Sequence, residues 1–409
     1  MMAGHFAATA ARFKASEGPV LILQDTTEFT YSRESPGKIG YTKTINAGRY
    51  KAGQPTACNL CGVLMHSSLV VTTSGTPLGL SAVKLWTRSK FKATAALRRL
   101  LNQTRVPIET KESYCWLENL RQSIALLGSP ERCVHIGDRE SDIYELFCLA
   151  QVLGARFLVR VQTNRLAEPP SSPSPTNAAH RVFAQVAAVP WSGRHRVATG
   201  GQDGETAFLQ IKFASVKTLP PIGKQSATRY KRSSIFMFWM SIRLRIVTRS
   251  TGSRDQFACR RSGSRRRKAR LVRLALEGRD VPQDHESGCR AEDARLQTTE
   301  RLVKLLALIA VVSWRIFWIT MSARAQPDAR PETVLTPAEI ETLDRIDAAR
   351  SKPRILRRTL ATYLLQITML GGYLARTRDH PPGNIVVWRR LTKLQDIAFI
   401  AIGSPRRCG

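Results

Sequence analysis

The chain has 409 residues, of which 43% are hydrophobic. This is enough for two or three domains with packed cores, and it excludes an intrinsically disordered protein. Lysine and arginine number 63 against 31 acidic residues, so the formal net charge is +32. Such an excess is typical of proteins that bind a polyanion, because each phosphate neutralised by Lys or Arg releases counterions. The alternatives are a surface that is merely basic, or a stretch of sequence that was never selected.

The N-terminal third of the chain is predicted to contain one helix and three strands. Residues 3–16 have the periodicity of a helix, and residues 19–24 form a buried strand that ends at Asp25. Residues 31–59 contain repeated glycines and a proline and are predicted to be loop-rich. Residues 62–87 are typical of two strands joined in a hairpin at a Ser-Gly-Thr-Pro turn.

The next elements alternate between helix and strand. An amphipathic helix is predicted over residues 113–128, and Gly128 ends it. Residues 133–154 predict a short strand, a turn and a helix, and residues 155–165 predict a further strand. Residues 166–178 are rich in proline and serine and predict a linker or loop tip.

The composition changes at about residue 229. Residues 229–270 hold fourteen Lys and Arg against one acid, with almost no apolar periodicity. Helical periodicity resumes at residue 289, and residues 302–320 form an apolar run long enough to suggest a membrane span. Lys304 and Arg315 interrupt that run, so we predict a core helix of a soluble protein.

Two helices are predicted near the C-terminus. The first covers residues 336–350 and opens with a capping box, in which Thr336 is the N-cap, Pro337 occupies the first turn and Glu339 the third position. The second covers residues 354–376 and runs through a Gly-Gly pair.

Two carboxylates follow predicted strands, Asp25 after the first and Asp138 after the strand that begins at residue 133. In an open α/β sheet, groups at the carboxyl ends of strands face a common crevice. Two carboxylates there repel unless a cation lies between them, and Mg²⁺ prefers such oxygen ligands. The alternative is that Asp25 caps a turn and Asp138 pairs with Arg139 or Arg132.

The residues around both acids resemble a known family. The stretches "LQDTTEFTYS" around Asp25 and "HIGDRESDIYELF" around Asp138 closely resemble the first and second acidic motifs of bacterial cut-and-paste transposases with an Asp-Asp-Glu centre. The segments "HSSLVVTTSGTPLGL" and "FLVRVQTNR" are similar to those that lie between and after these motifs in that family. The resemblance covers about residues 1–228 and 288–400.

The resemblance implies an α/β fold, with a ribonuclease H-like mixed sheet, an inserted β-rich segment and a C-terminal helical region. Residues 1–228 correspond to the first part of the catalytic core with its insert. Residues 229–287 form a basic segment expected to be poorly ordered. Residues 288–325 correspond to the helical end of the core, and residues 326–409 to a helical region used for dimerisation.

The resemblance also implies a chemistry and partners. In an intact relative, two Mg²⁺ or Mn²⁺ ions held by three acids activate a water that attacks a phosphodiester at the transposon end. Asp25 and Asp138 would be catalytic metal ligands, Asp25 bridging the two ions, and Arg165 would contact transposon-end DNA. The expected partners are double-stranded DNA, both transposon ends and target, and a second copy of the chain bound through the C-terminal helices. The expected location is the cytoplasm, associated with the nucleoid and without a membrane.

The chain departs from the family where the third acid belongs. That acid is expected on a helix, in the pattern Tyr-x2-Arg-x3-Glu-x6-Lys, but residues 271–286 read "LVRLALEGRDVPQDHE". Glu277 is nearby, yet Gly278 follows it directly and Pro282 soon after, which disfavours a helix. The family's N-terminal DNA-recognition domain is also expected to be missing, because the similarity begins with the first residues.

A reading-frame slip explains the departure. If residues 271–286 are written in permitted codons and the first base is skipped, they encode "WYALRWKVETFHKIM", which contains the missing pattern. The glutamate codon then spans those of Arg279 and Asp280. The slip would begin within residues 226–235 and end near Glu286 and Ser287. The alternative is a selected basic arm that binds nucleic acid.

The sequence therefore predicts a DNA transposase of this family that is catalytically defective, so its status as an enzyme stays open. One alternative is a non-catalytic remnant that binds DNA or dimerises and inhibits active relatives. Another is an unrelated basic metal-dependent nuclease, in which Glu140, Asp142 or Glu145 supplies the third ligand.

Overall fold

The structure is a computed structural model that describes residues 2–49, 55–88, 106–168, 180–198, 206–221, 235–247, 291–349, 357–370, 373 and 384–403. It divides into two compact units. The first comprises Met1–Lys92, Arg121–Cys133 and Gly278–Gly409, and the second comprises Ala93–Leu120 and Val134–Glu277. The four segments predicted from the sequence remain predictions.

The first unit contains an antiparallel sheet built on one long strand. Its strands are β1 (Val20–Thr30), β2 (Tyr41–Arg49), β3 (Pro55–Thr72) and β4 (Pro77–Trp86). The first part of β3 pairs with β2, and its second part pairs with β1 and β4. Gly75 lies in the β3–β4 turn at φ +94°, a conformation that favours glycine. The predicted hairpin is confirmed.

Strand β1 is longer than predicted, and this changes the position of Asp25. The prediction of a strand over 19–24 that ends at Asp25 is wrong, because β1 continues to Thr30 and Asp25 lies in its middle, opposite Ser67. The residues after Asp25 are mostly threonine and phenylalanine, which favour strands. Strand β3 provides partners for them as far as Gly62.

The loop predicted over residues 31–59 is wrong over two stretches. Residues 41–49 form β2, and β3 begins at Pro55. The glycines and proline suggested turns, but pairing with β3 holds this stretch extended. A short 3₁₀ turn at Pro36–Lys38 and Gly40, at φ +101°, supply the change of direction that the glycines indicated.

Two helices cover this sheet, α1 (Ala3–Ala15) and a long apolar helix that begins at Thr299. The predicted N-terminal helix is confirmed. His5 on α1 accepts a hydrogen bond at Nε2 from the Leu80 backbone N–H at 2.9 Å. Its ring also meets the Trp314 ring edge-on, with centroids 4.7 Å apart. These contacts join the first helix, the sheet and the late helix in one core.

Helix α2 (Tyr114–Leu127) is confirmed, and Gly128 ends it at φ +71°. Its last residues belong to the first unit, where the Ser123 hydroxyl lies 2.8 Å from that of Ser81 on β4. Leu127 packs there with the apolar end of β1.

The second unit contains a strand-turn-helix-strand sequence. Its elements are β5 (Cys133–Gly137), of which Cys133 belongs to the first unit, then α3 (Tyr144–Val152) and β6 (Arg156–Val159). Strands β5 and β6 pair in parallel. The predicted strand, turn and helix are confirmed, but the strand predicted over residues 155–165 is wrong beyond Val159. The chain there turns back instead, and its backbone N–H groups bond the turn after β5.

A second sheet follows in this unit. It comprises α4 (Val182–Ala188) beside the antiparallel strands β7 (Gly193–Ala198), β8 (Thr206–Lys217) and β9 (Ile235–Val247). Strand β9 lies within the basic segment 229–287. The remainder of that segment lies outside the described residues. With both parallel and antiparallel strand pairs, the chain has the predicted mixed α/β character.

The C-terminal helices pack around the second half of the long helix α5 (Thr299–Ala325). They are α6 (Pro337–Ala348), α7 (Leu360–Met369) and α8 (Asn384–Gly403). The predicted capping box is confirmed, since the N-cap threonine of α6 and the glutamate three residues later bond each other's backbone N–H groups. Helix α8 is an element that the sequence patterns did not predict.

The prediction for α7 is wrong at both ends. It was expected over residues 354–376, but it begins at Leu360, where the Thr359 hydroxyl accepts from the Thr362 N–H, and it ends at Met369. The threonine cap sets the start, because its side chain bonds the first turn of the helix. The Gly-Gly pair at 371–372 lies outside the described residues.

Helix α5 is the apolar run whose location was in question. Of the helices that the structure describes, it alone is long and apolar enough to cross a membrane. It packs against β3 and β4 on the sheet and against α7 and α8, and Arg315 in its middle forms an ion pair with Glu339. This is a core helix of a soluble-type α/β fold.

Candidate functional site

The first predicted site residue, Asp25, lies half-buried on β1 in the first unit. Its neighbours Gln24 and Thr26 point to the opposite face, because side chains alternate along a strand. There they contact His66 of β3, with Thr26 Oγ1 2.9 Å from Nδ1 and Gln24 Oε1 3.3 Å from Nε2. Asp25 therefore shares the face of Ser67 rather than that of the histidine.

His66 is a neutral group in this environment. Burial lowers its pKa from 6.5 to about 3, and the positive charge of Lys84 lowers it further. The ring is fully buried and serves as a hydrogen-bonding spacer between β1 and β3. A histidine held neutral on the other face of the strand offers Asp25 no direct acid–base partner.

The second predicted site residue, Asp138, is exposed and directly follows β5 in the second unit. It caps a short 3₁₀ turn, with Oδ1 accepting the Glu140 N–H at 2.8 Å, while Ser141 Oγ donates to its carbonyl at 2.7 Å. Gly137 is required just before it, because a Cβ there would lie 2.5 Å from Ser141 Cβ and 2.7 Å from the Trp116 ring. The predicted position of an acid at the carboxyl end of a parallel strand is confirmed.

The strongest interaction near Asp138 involves another acid of the same turn. Asp142 has a side chain with 0% exposure, and its Oδ1 lies 2.6 Å from Nη2 of Arg165, whose side chain is 10% exposed. The other oxygen, Oδ2, accepts the backbone N–H groups of Gln162 at 2.9 Å and Thr163 at 2.8 Å. We call the Asp142–Arg165 pair with these two backbone bonds the acid clamp.

Arg165 was predicted to contact DNA, and the structure places it inside the second unit. Its Nη2 also donates to the Asp142 carbonyl. Its guanidinium lies over Phe147, with 5.5 Å between Cζ and the ring centroid, and Phe147 stacks on Phe157 at 4.9 Å. The sequence gave no local sign of this clamp, because its two charged residues are 23 positions apart.

The alternative third ligands occupy different environments. The Asp142 carboxylate is occupied by the acid clamp. Glu140 is exposed on the turn, and Glu145 is buried on α3. Glu277 lies outside the described residues. Within the part of the chain that the structure describes, no group of three or more His, Cys, Asp or Glu side chains could hold a metal ion. These residues do not fit a two-metal centre, so we derive no metal-dependent step.

The site residues are divided between the two units. Asp138, Asp142 and Arg165 belong to the second unit, and Asp25 belongs to the first. The predicted meeting of Asp25 with Asp138 at one sheet edge therefore stays a prediction. The structure does assemble a turn in which one exposed acid is fixed beside a buried acid clamp.

No protein-family model matches the chain, and no curated protein matches it significantly. The resemblance to Asp-Asp-Glu transposases thus depends on the two acidic motifs and their neighbouring segments.

Proposed function

We propose that this chain is a transposase-type DNA-binding protein that has lost strand cleavage. The observation that carries the proposal is the position of Asp138, an exposed carboxylate at the carboxyl end of β5 within "HIGDRESDIYELF". In α/β sheets this edge is where ligands bind. The finer fold assignment, a ribonuclease H-like core, is part of the same proposal.

Loss of cleavage follows from the missing third acid. Phosphodiester cleavage by two metal ions requires enough carboxylates to hold both ions about 3.5–4 Å apart. The family pattern that supplies the third acid is absent from residues 271–286. Asp25 and Asp138 would remain as an incomplete ligand pair for Mg²⁺ or Mn²⁺.

Binding to DNA is supported by charge. The net charge of +32 favours association with the phosphate backbone independently of sequence. We expect binding to double-stranded DNA that weakens steeply with salt, because each neutralised phosphate releases a counterion.

A second function, inhibition of active relatives, is favoured by the C-terminal helices. Helices α6, α7 and α8 pack with α5 around a buried core that includes Leu343, Tyr363 and Leu391. A folded helical region of this kind can form a dimer with a relative even when catalysis is lost. Co-expression with an active transposase of the family should lower transposition, and an unchanged transposition frequency would contradict this function.

The test of the main proposal uses the purified full chain. Binding to a double-stranded DNA fragment is measured between 50 and 200 mM salt, and nicking of the same DNA is measured with Mg²⁺ and with Mn²⁺. We expect salt-dependent binding and the same background nicking for the wild type, Asp138→Asn and Asp25→Asn. Nicking that the substitutions abolish would refute the loss of cleavage, and a lack of binding at low salt would refute the DNA-binding function.

The gene sequence tests the frame slip separately. If the bases that encode residues 271–286 spell the family pattern when shifted, the basic segment is out-of-frame product. If they cannot, the segment is an ordinary part of the protein.

A further inference from the structure

The acid clamp assigns Arg165 a role that differs from contact with DNA. We propose that Arg165 is a positioning residue, which fixes the turn that carries Asp138 by holding Asp142 in place. The importance of that turn rests on the proposed function, but the clamp itself is a property of the second unit.

The burial of Arg165 argues against a grip on a phosphate. An arginine that binds phosphate presents its planar fork of N–H donors to the ligand. Here the side chain is 10% exposed, and Nη2 is shared between Oδ1 and the carbonyl of Asp142. Its Nε is also buried. To reach DNA, the guanidinium would have to leave Asp142 as an uncompensated buried charge.

Asp142 connects the two segments that follow β5 and β6. Its Oδ2 accepts two consecutive N–H groups, those of Gln162 and Thr163, in the stretch after β6. The Arg160 N–H adds a bond to the Gly137 carbonyl at 3.3 Å. The carboxyl ends of both parallel strands are thus tied together through one buried carboxylate.

The turn transmits this restraint to Asp138 over a short path. The Asp142 N–H donates to the Arg139 carbonyl at 3.2 Å, and the buried Ser141 donates its hydroxyl to the Asp138 carbonyl. The Asp138 carboxylate in turn accepts the Glu140 N–H. Each residue of the turn is bonded within it, so a displaced Asp142 changes the direction of the Asp138 side chain.

The experiment compares four variants of the full chain, Arg165→Gln, Asp142→Asn, their double mutant, and Lys217→Gln as control. Lys217 is in the same unit and forms an ion pair with Glu168 at 3.3 Å, but its side chain is 49% exposed. Amide hydrogen exchange of peptides that cover residues 138–142 reports the turn. Peptides from β8 report overall unfolding of the unit, which a merely stabilising pair would change equally.

We expect Arg165→Gln and Asp142→Asn each to raise exchange in the turn at least tenfold, with β8 changed much less. The double mutant should be no worse than either single variant, and Lys217→Gln should leave the turn unchanged. If Arg165→Gln does not fold, Arg165→Lys replaces it and should give a smaller, equally local increase. Exchange that is unchanged in the turn, or raised equally in β8, would overturn the proposal.

Salt dependence separates this role from contact with DNA. Loss of one phosphate contact lowers the slope of log affinity against log salt by about one unit. We expect the slope for Arg165→Gln to equal that of the wild type, and a fall of about one unit with no such fall for Asp142→Asn would overturn the proposal. If the wild type binds no DNA, the proposed function fails while the exchange measurement still tests the clamp.

Discussion

Replacing Glu339 by alanine should destabilise the C-terminal helices far more than replacing a glutamate two residues away. The Glu339 side chain is 5% exposed. Its two oxygens accept from Arg315 Nη2 at 2.8 and 2.7 Å, and Oε2 also accepts the Thr336 N–H at 2.8 Å. One carboxylate therefore closes the capping box of α6 and neutralises the charge in the middle of α5.

The expected cost follows from these contacts. Breaking a buried ion pair by removing one partner costs about 3–5 kcal/mol, because the other charge stays buried. Arg315 is 27% exposed, so water recovers part of its solvation and the lower end applies. Loss of half of the capping box adds some tenths of a kcal/mol. We expect Glu339→Ala to lower the free energy of unfolding by about 3 kcal/mol.

Glu341→Ala is the matched control on the same helix. Glu341 pairs with Arg345 one turn later, but both side chains are about two-thirds exposed, at 64% and 65%. Such a pair contributes ~0.3–0.5 kcal/mol. Urea unfolding followed by tryptophan fluorescence suits this region, because Trp314 and Trp318 lie on α5. If Glu339→Ala falls within about 0.5 kcal/mol of Glu341→Ala, the pair does not stabilise the core as we infer.

Two further predictions concern the first unit. The pKa of His66 is lowered to about 3, so below pH 6.5 the unfolded chain binds the proton first, and stability should fall by up to ~1.4 kcal/mol per pH unit towards pH 3. His66→Gln should flatten this fall when urea midpoints at pH 7 and 5 are compared, and an equal fall in both proteins would contradict the assignment. Gly79→Ala should destabilise by more than ~2 kcal/mol, because its Cβ would lie 2.0 Å from Thr9 Oγ1. Gly18→Ala should cost only about 1 kcal/mol, since φ is +74° but nothing lies within 4 Å, and equal thermal midpoints for the two variants would contradict the clash.

Elements with local signals were predictable from the sequence. Helix α1 shows its own periodicity, Gly128 marks the end of α2, and the Thr336–Glu339 box marks the start of α6. In each case the deciding groups lie within one or two turns of each other.

Elements set by distant partners were not predictable. Asp25 suggested the end of a strand because it is charged, but the extent of β1 is decided by its partner β3, about 40 residues later. The same holds for the clamp, since Asp142 shows its role only when the chain after β6 returns to it. The exposed position of Asp138 was predictable, because a polar turn directly follows a short apolar strand.

The contact of His5 with Trp314 has a consequence for synthesis of the protein. The two residues are about 310 positions apart, so the ribosome must add most of the chain before the first helix meets its late partner. At ~5–20 residues per second this takes roughly 15–60 s. Throughout that interval the apolar side of the nascent N-terminal region stays uncovered. Chaperones that bind emerging chains should therefore engage this protein early and release it only near the end of translation.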